Sequence, residues 1–355
     1  MLVGHDFHGA MPLVWRRCAG GSLLVLIVCL LSLAPYLASS TELVRLRNAL
    51  LLPEKTSSDF EWTPADIPAS YVQELGPADP FFSKLVQHLG LSALPDDWTR
   101  AVAISRHLLS SSPVLRGGAV MSDLRGTYQR VVTQGDGYCG DFTDVFVAIA
   151  LAAGMPVRTW SFSFDGFGGH GHIWPEIWNR QAGRWQLVDV FNNYYFFETP
   201  AVPLSALAFR QALLSGSKQL RLAPLDSGAR LGWAMEDKAW AYYRHGLHGW
   251  YMGWGNNVFT YDRSRSVRVF SGVSRCLEQL GAIVEGVHPQ IRLLANADNL
   301  AQVQAIWRLH LHLMLLAWLV PLATLVFLAC LLVWLYRRYS SPSKSFFQGL
   351  QHGGH

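Results

Sequence analysis

Two runs of this chain are apolar almost without interruption. Leu23 to Leu37 is apolar apart from Ser32, and Leu313 to Leu335 carries no charged residue. About 20 apolar residues span a bilayer as a helix. The second run therefore predicts a transmembrane helix over 308–336, and the first predicts a membrane anchor over 21–39. The first run also has the marks of a cleaved signal peptide, with Arg16 and Arg17 before it and Ala38-Ser39-Ser40 after it.

Between these runs the pattern changes several times. Residues 40–80 are rich in Pro, Ser and acidic side chains with little periodicity, which predicts a spacer. From Asp79 to about Ser110 the pattern is helical: Asp96 and Asp97 open a helix whose apolar face includes Trp98, Val102, Ile104 and Leu108. Gly135-Asp136-Gly137 reads as a turn. Phe142, Val145, Phe146, Ile149 and Ala153 then recur at helical spacing until Gly154 and Pro156 stop the helix. Val157 to Phe164 alternates, with Arg158, Trp160, Phe162 and Phe164 on one side, as a strand does. After the glycine-rich loop Asp165 to Gly171, two more strands are predicted, His172 to Trp178 and Trp185 to Val190. Pro175 has no N–H for a ladder hydrogen bond, so its strand is expected at an edge or a bulge. One helix followed by an antiparallel hairpin predicts an α+β domain over 81–200. An aromatic-dense extension follows over 201–307, where Trp233, Trp240, Tyr242, Tyr243, Trp250, Tyr251 and Trp254 are expected chiefly to fill a core.

Charge sets the expected topology. Arg16 and Arg17 precede the first span, and Arg337, Arg338 and Lys344 follow the second. Excess Lys and Arg marks the cytoplasmic side, so 1–20 and 337–355 are expected inside and the middle exported. The expected location is a bacterial inner membrane with the domain periplasmic or extracellular. The net charge, 29 − 25 = +4, is mild and partly sits in those flanks, so nucleic acid is not an expected partner. Cys139 and Cys276 are the two cysteines in the expected exported part, and a disulfide between them is the structural alternative to chemistry at Cys139.

That chemistry is suggested by what surrounds Cys139. It opens a helix, where the dipole favours a thiolate, although Asp136, Asp141 and Asp144 oppose this. If Trp178 pairs with Trp185, paired numbers sum to 363. His172 and Asp189 then become diagonal neighbours on one face, about 7–8 Å apart at the backbone. A carboxylate there orients the imidazole and stabilises its protonated form.

Gly137-Tyr138-Cys139-Gly140-Asp141-Phe142 and Ala153-Gly154-Met155-Pro156-Val157-Arg158 resemble the cysteine segment of transglutaminase-like domains. His172-Ile173-Trp174-Pro175-Glu176-Ile177-Trp178 is similar to that superfamily's His-x-Trp-x-Glu-Val strand, and Trp185-Gln186-Leu187-Val188-Asp189 to its Trp-x-x-x-Asp strand. The intervals, 172 − 139 = 33 and 189 − 172 = 17, also suit it. The resemblance implies a papain-like helix-plus-antiparallel-sheet core, here flanked by transmembrane helices. It further implies acyl transfer through a thioester, with Cys139 as nucleophile, His172 as base and Asp189 as orienting acid.

On this reading the protein is a membrane-anchored cysteine acyltransferase or protease acting on peptide or protein amides. No cofactor is expected. No metal is expected either; His170, His172 and Asp189 are the residues from which a zinc site would be built. Gln134 and Tyr128 are candidate oxyanion partners beside the Cys139 amide, and His170 is expected to be a solvated loop residue. The competing class is a catalytically idle scaffold for envelope-polymer assembly or export, with the aromatic segment contacting glycan. A papain-like peptidase outside the superfamily is a third reading.

Overall fold

The structure is a computed structural model that describes residues 13–53, 60–110 and 117–340. Lys344 and the rest of the expected tail from 341 lie outside the described residues, as do the first twelve residues and 54–59 of the expected spacer. The chain divides into two units, Met1–Ala38 with His310–His355, and Ser39–Leu309.

The first unit contains two apolar helical segments. Helix α1 (Leu13–Leu33) continues as a short 3-10 turn to Leu37, and α12 (Leu300–Ser340) enters the unit from His310 onward. Both are long and apolar enough to cross a membrane, over Leu13–Leu37 and Ala297–Arg337. His312 and Ser32 are hydrogen-bonded at 3.1 Å within this unit.

The second unit begins with α2 (Ser40–Leu50), which Ser39 caps by accepting from the Glu42 N–H. Helices α3 (Pro80–His88), α4 (Asp97–Leu109), α5 (Leu124–Gln134) and α6 (Cys139–Ala152) follow. Asp79, Asp96 and Asp123 cap α3, α4 and α5 by accepting from backbone N–H groups that a helix start leaves unbonded. Helix α6 has nine buried residues among its fourteen, the mark of a helix enclosed on most sides. Gly154, at φ +69°, closes it.

Strands β1 (Val157–Ser163), β2 (Gly171–Asn179) and β3 (Arg184–Leu187) come next, then β4 (Tyr194–Phe197), α7 (Ala206–Ser215), β5 (Arg221–Pro224) and α8 (Glu236–His245). The unit is completed by β6 (Trp250–Gly253), α9 (Val258–Arg263), α10 (Arg265–Phe270), α11 (Arg275–Glu285), β7 (Ile291–Leu293) and the start of α12. One antiparallel sheet has the order β3-β2-β1-β6-β7, and β4 with β5 forms a second. The fold is therefore α+β.

The alternation of β1 divides the core. Trp160 and Phe162 face an aromatic cluster with Trp174, Trp250 and Tyr243, while Val157 packs with α3–α6. Trp250 and Trp254 are wholly buried, so the larger rings of the aromatic segment fill a core. Arg158 is buried too, its Nε 2.6 Å from Glu176 Oε2 and its guanidinium over the Trp62 and Trp185 rings. Glu176 also accepts from Trp160 Nε1 and the Ala206 N–H, which makes it a structural carboxylate.

Trp178 faces Trp185, the pairing on which the alignment of His172 with Asp189 depends, and Asn179 explains why. Its Oδ1 accepts from the Gln181 and Ala182 N–H groups, folding the loop tightly enough to fix the register.

Two expectations fail. Pro175 lies in β2, which is central, and it pairs with Thr159 without a bulge. Its carbonyl accepts from the Val188 N–H, so its missing donor faces the position just beyond the end of β3, where the ladder finishes anyway. Nor is the stretch from 40 to 80 a spacer. Phe60, Trp62 and Tyr71 are buried in the aromatic cluster, and Val72 bridges to Gly255. Burying three large rings outweighs any tendency of so polar a segment to stay solvated.

Candidate active site

Gly137 turns the chain into α6 at φ +137°, a conformation other residues rarely adopt, and a Cβ there would lie 3.1 Å from Asp141 Cβ. Tyr138 is the N-cap and Cys139 the first helical residue. Asp141 Oδ2 accepts from the Tyr138 N–H at 2.9 Å, and its Oδ1 pairs with Arg275 at 2.5 Å. Burial pushes the Asp141 carboxyl up despite Arg275. The Cys139 N–H is among those at a helix start that have no partner within the helix. Thr143 Oγ1 donates to the Ile173 carbonyl at 3.1 Å, tying the first turns of α6 to the start of β2.

His172 is the second residue of β2 and 3 % exposed. Phe162, Trp174, Phe191 and Tyr242 wall its ring. Nε2 lies 2.9 Å from Asp189 Oδ1. Among the described residues Nδ1 makes no hydrogen bond, so it is the ring nitrogen left uncommitted, and Cys139 and His172 share one cavity wall. Burial alone would lower the imidazole pKa. Interaction with Asp189 and Cys139 outweighs burial and raises it to about 10.

Asp189 follows β3 and is fully buried. Besides His172 it accepts from Tyr243 Oη at 2.7 Å, Asn192 Nδ2 at 3.0 Å and the Asn192 N–H at 3.1 Å. Burial opposes its charge, yet the imidazolium and these donors hold the carboxyl below its usual value. The tertiary structure thus brings Cys139, His172 and Asp189 to one place.

Cys139 opens onto a cavity of about 440 Å³ whose wall includes His172, Asp144, Glu278 and Arg47. Glu278 pairs with Arg275 at 3.2 Å and accepts from Tyr261 Oη at 3.0 Å. Asp144 is half-buried and enters no hydrogen bond or ion pair among the described residues. Burial raises its pKa to about 7, with Arg275 opposing and Asp141 and Glu278 reinforcing the shift.

Other candidates are not brought in. Tyr128 is bonded to His107 Nε2 at 2.8 Å and packs on Phe81 and Phe82, and Gln134 is exposed at the end of α5. His170 is exposed on the glycine-rich loop, 3.5 Å from Asp165, so it does not join His172 and Asp189. Among the described residues no group of three or more His, Cys, Asp or Glu is arranged to hold a metal ion. Cys139 and Cys276 are both free thiols, so the alternative disulfide is not formed.

Sequence reasoning missed Tyr243, Asn192 and Arg275 as members of this site. Asn192, three residues after Asp189, carried a local signal, since a side-chain carboxylate accepting from nearby backbone is a common turn. Tyr243 and Arg275 lie 54 and 134 residues from their partners, and nothing local announced them.

The sequence model of the transglutaminase-like superfamily matches residues 91–190, a span that contains all three residues. The chain therefore carries a transglutaminase-like superfamily domain. No curated protein and no solved structure matches the chain.

Proposed function

We propose that this transglutaminase-like domain is a cysteine-dependent acyl-transfer enzyme acting on peptide or protein amides, with Cys139 as nucleophile, His172 as general acid and base, and Asp189 as orienting acid. One observation carries the reading: the buried His172–Asp189 pair commits Nε2 and leaves Nδ1 for Cys139.

Cys139 attacks as the thiolate, since that is the nucleophilic form. Its sulfur bonds the carbonyl carbon while the carbonyl electron pair moves to oxygen. The Cys139 N–H, unbonded within α6, is available to the oxyanion. When the tetrahedral intermediate collapses, the C–N bond breaks and the leaving amine takes the Nδ1 proton of His172. Neutral His172 then removes a proton from water or from an acceptor amine, which attacks the thioester and releases the thiolate. Asp189 keeps the imidazole in one orientation and offsets its charge throughout.

For the second step we favour hydrolysis or limited proteolysis over cross-linking. Of the carboxylates on the cavity wall, Asp141 and Glu278 are engaged by Arg275 and burial raises the Asp144 pKa to about 7, so the wall offers a lysine acceptor little fixed negative charge. We assign the domain to the exported side of a cell inner membrane, because Arg16 and Arg17 precede the first span and Arg337 and Arg338 follow the second.

Alkylation of the full-length protein by iodoacetamide, mapped by mass spectrometry near neutral pH, tests the site. Cys139 should react faster than exposed Cys276, and His172→Ala should abolish the difference. Equal rates at the two thiols, or a Cys139 rate indifferent to His172, would remove the nucleophile and leave the scaffold reading.

A further inference from the structure

Exposed apolar side chains on the domain are mostly isolated. Leu75, Met121, Leu214 and Met235 come from separate segments, as is ordinary for a protein surface. The α10–α11 hairpin differs. Its helices approach so closely that a Cβ on Gly281 would lie 2.7 Å from Ser266 Cβ. Glu285, the last residue of α11, accepts from the Arg265 and Ser266 N–H groups at the start of α10. The hairpin is therefore a built unit, not a loose flap.

Helix α11 has two faces. Glu278 and Ala282 are buried, and Arg275 reaches inward to Asp141, so this side walls the Cys139 cavity. On the other side Leu277, Leu280 and Val284 are 43 %, 48 % and 82 % exposed. Steps of three and four residues align them on one stripe. Val269 on α10 and Val273 in the turn between the two helices are exposed as well.

Two observations indicate what covers this stripe. The first is charge. Arg265 and Arg268 are exposed, share a helical face with Val269 by their spacing, and form no ion pair among the described residues. An apolar stripe bordered by unpaired arginines is the arrangement of helices that lie in a lipid interface. The second is the order of elements along the chain. The first apolar span ends at Leu37 and α2 begins at Ser40. Arg47 of α2 donates to Gln279 of α11 at 3.3 Å. Seven residues of helix separate Ser40 from Arg47, roughly 10 Å along the axis. The hairpin thus touches the helix that directly follows the first span in sequence.

We propose that the outer face of α10–α11 rests on the lipid bilayer. The stripe from Val269 to Val284 meets the boundary of the acyl chains, and Arg265 and Arg268 meet anionic headgroups. The hairpin then carries its inner face, with Arg275 and Glu278, one helix thickness from the lipid surface, about 10 Å. Cys139 is fixed to that wall through Asp141 and Arg275, so its substrates are met beside the membrane. The docking surface itself does not depend on whether Cys139 is catalytic.

The test uses the full-length protein in vesicles of phosphatidylcholine and phosphatidylglycerol that contain a lipid bearing a photoactivatable diazirine. After irradiation, adducts are mapped by mass spectrometry. Expected are adducts on 265–284 as well as on the two apolar spans, more abundant with phosphatidylglycerol than in phosphatidylcholine alone. A Val273→Asp, Leu280→Glu variant should lose the hairpin adducts and keep those on the spans, and an unchanged thermal transition shows that it folds. If that variant does not fold, Arg265→Gln with Arg268→Gln should still weaken the dependence on phosphatidylglycerol. Adducts confined to the spans overturn the proposal. So does a hairpin unlabelled by lipid yet shielded from a water-soluble carbene precursor, which would assign the face to a second copy or another protein.

Discussion

The two halves of the site are built on opposite principles. Around Asp189 the chain has removed water and filled every role: the carboxylate is buried, accepts from His172, Tyr243 and Asn192, and sits behind a wall of rings. Around Cys139 the chain has left space, with a partly exposed thiol on a cavity whose charged groups are only partly paired. The first half fixes an orientation, and a hydrogen bond to a buried charge holds geometry best when no water competes. The second half must admit a substrate, so its charges stay responsive. Asp144, with no hydrogen bond or ion pair among the described residues and a pKa of about 7, belongs to that half.

The largest effect should come from breaking the closed half. Asp189→Asn keeps the side-chain volume but presents an amide where Tyr243 and Asn192 donate. It should lower turnover by about 10²–10⁴, as in triads that lose their acid. The measurement is the Cys139 alkylation rate across pH, beside a circular dichroism spectrum that shows an intact fold. A rate equal to the parent protein's would detach Asp189 from the chemistry.

A smaller effect sharpens the contrast from the open side. The folded protein holds the Asp144 proton up to about pH 7, whereas an unfolded chain releases it near 3.8, the ordinary value for an aspartate. Between those values the folded state binds more protons, so its stability falls as pH rises through the window. Asp144→Asn has no such group. It should therefore unfold at a higher temperature than the parent above about pH 7, with the advantage vanishing below 3.8. An advantage independent of pH would show that Asp144 does not titrate there.

The smallest effect is expected at His170, exposed on the loop beside His172. His170→Gln should change stability by no more than about 0.5 kcal/mol, the usual range for a surface substitution. It should also leave the pH dependence of Cys139 alkylation in place. A displaced profile would make His170 part of the site after all.

What the sequence determined by itself was whatever neighbours in the chain decide. Cys139 opens α6 because Gly137 turns the backbone and Asp141 caps it, and the helix stops where Gly154 and Pro156 stop it. The alternation of Val157 to Ser163 placed β1, whereas the pairing of Trp178 with Trp185 had to be supposed, and the Asn179 turn that sets it shows only in the fold. The tertiary structure decided the rest. Tyr243 completes the Asp189 shell from 54 residues away, and Arg275 holds Asp141 from 134. Phe60, Trp62 and Tyr71 turned an expected spacer into core, and Pro175 fitted a central strand because β3 ends beside it. Backbone conformation depends on a few adjacent residues, so it can be read along the chain. The partner of a buried ring or charge is chosen by which distant surfaces pack together to exclude water, and no local pattern records that choice.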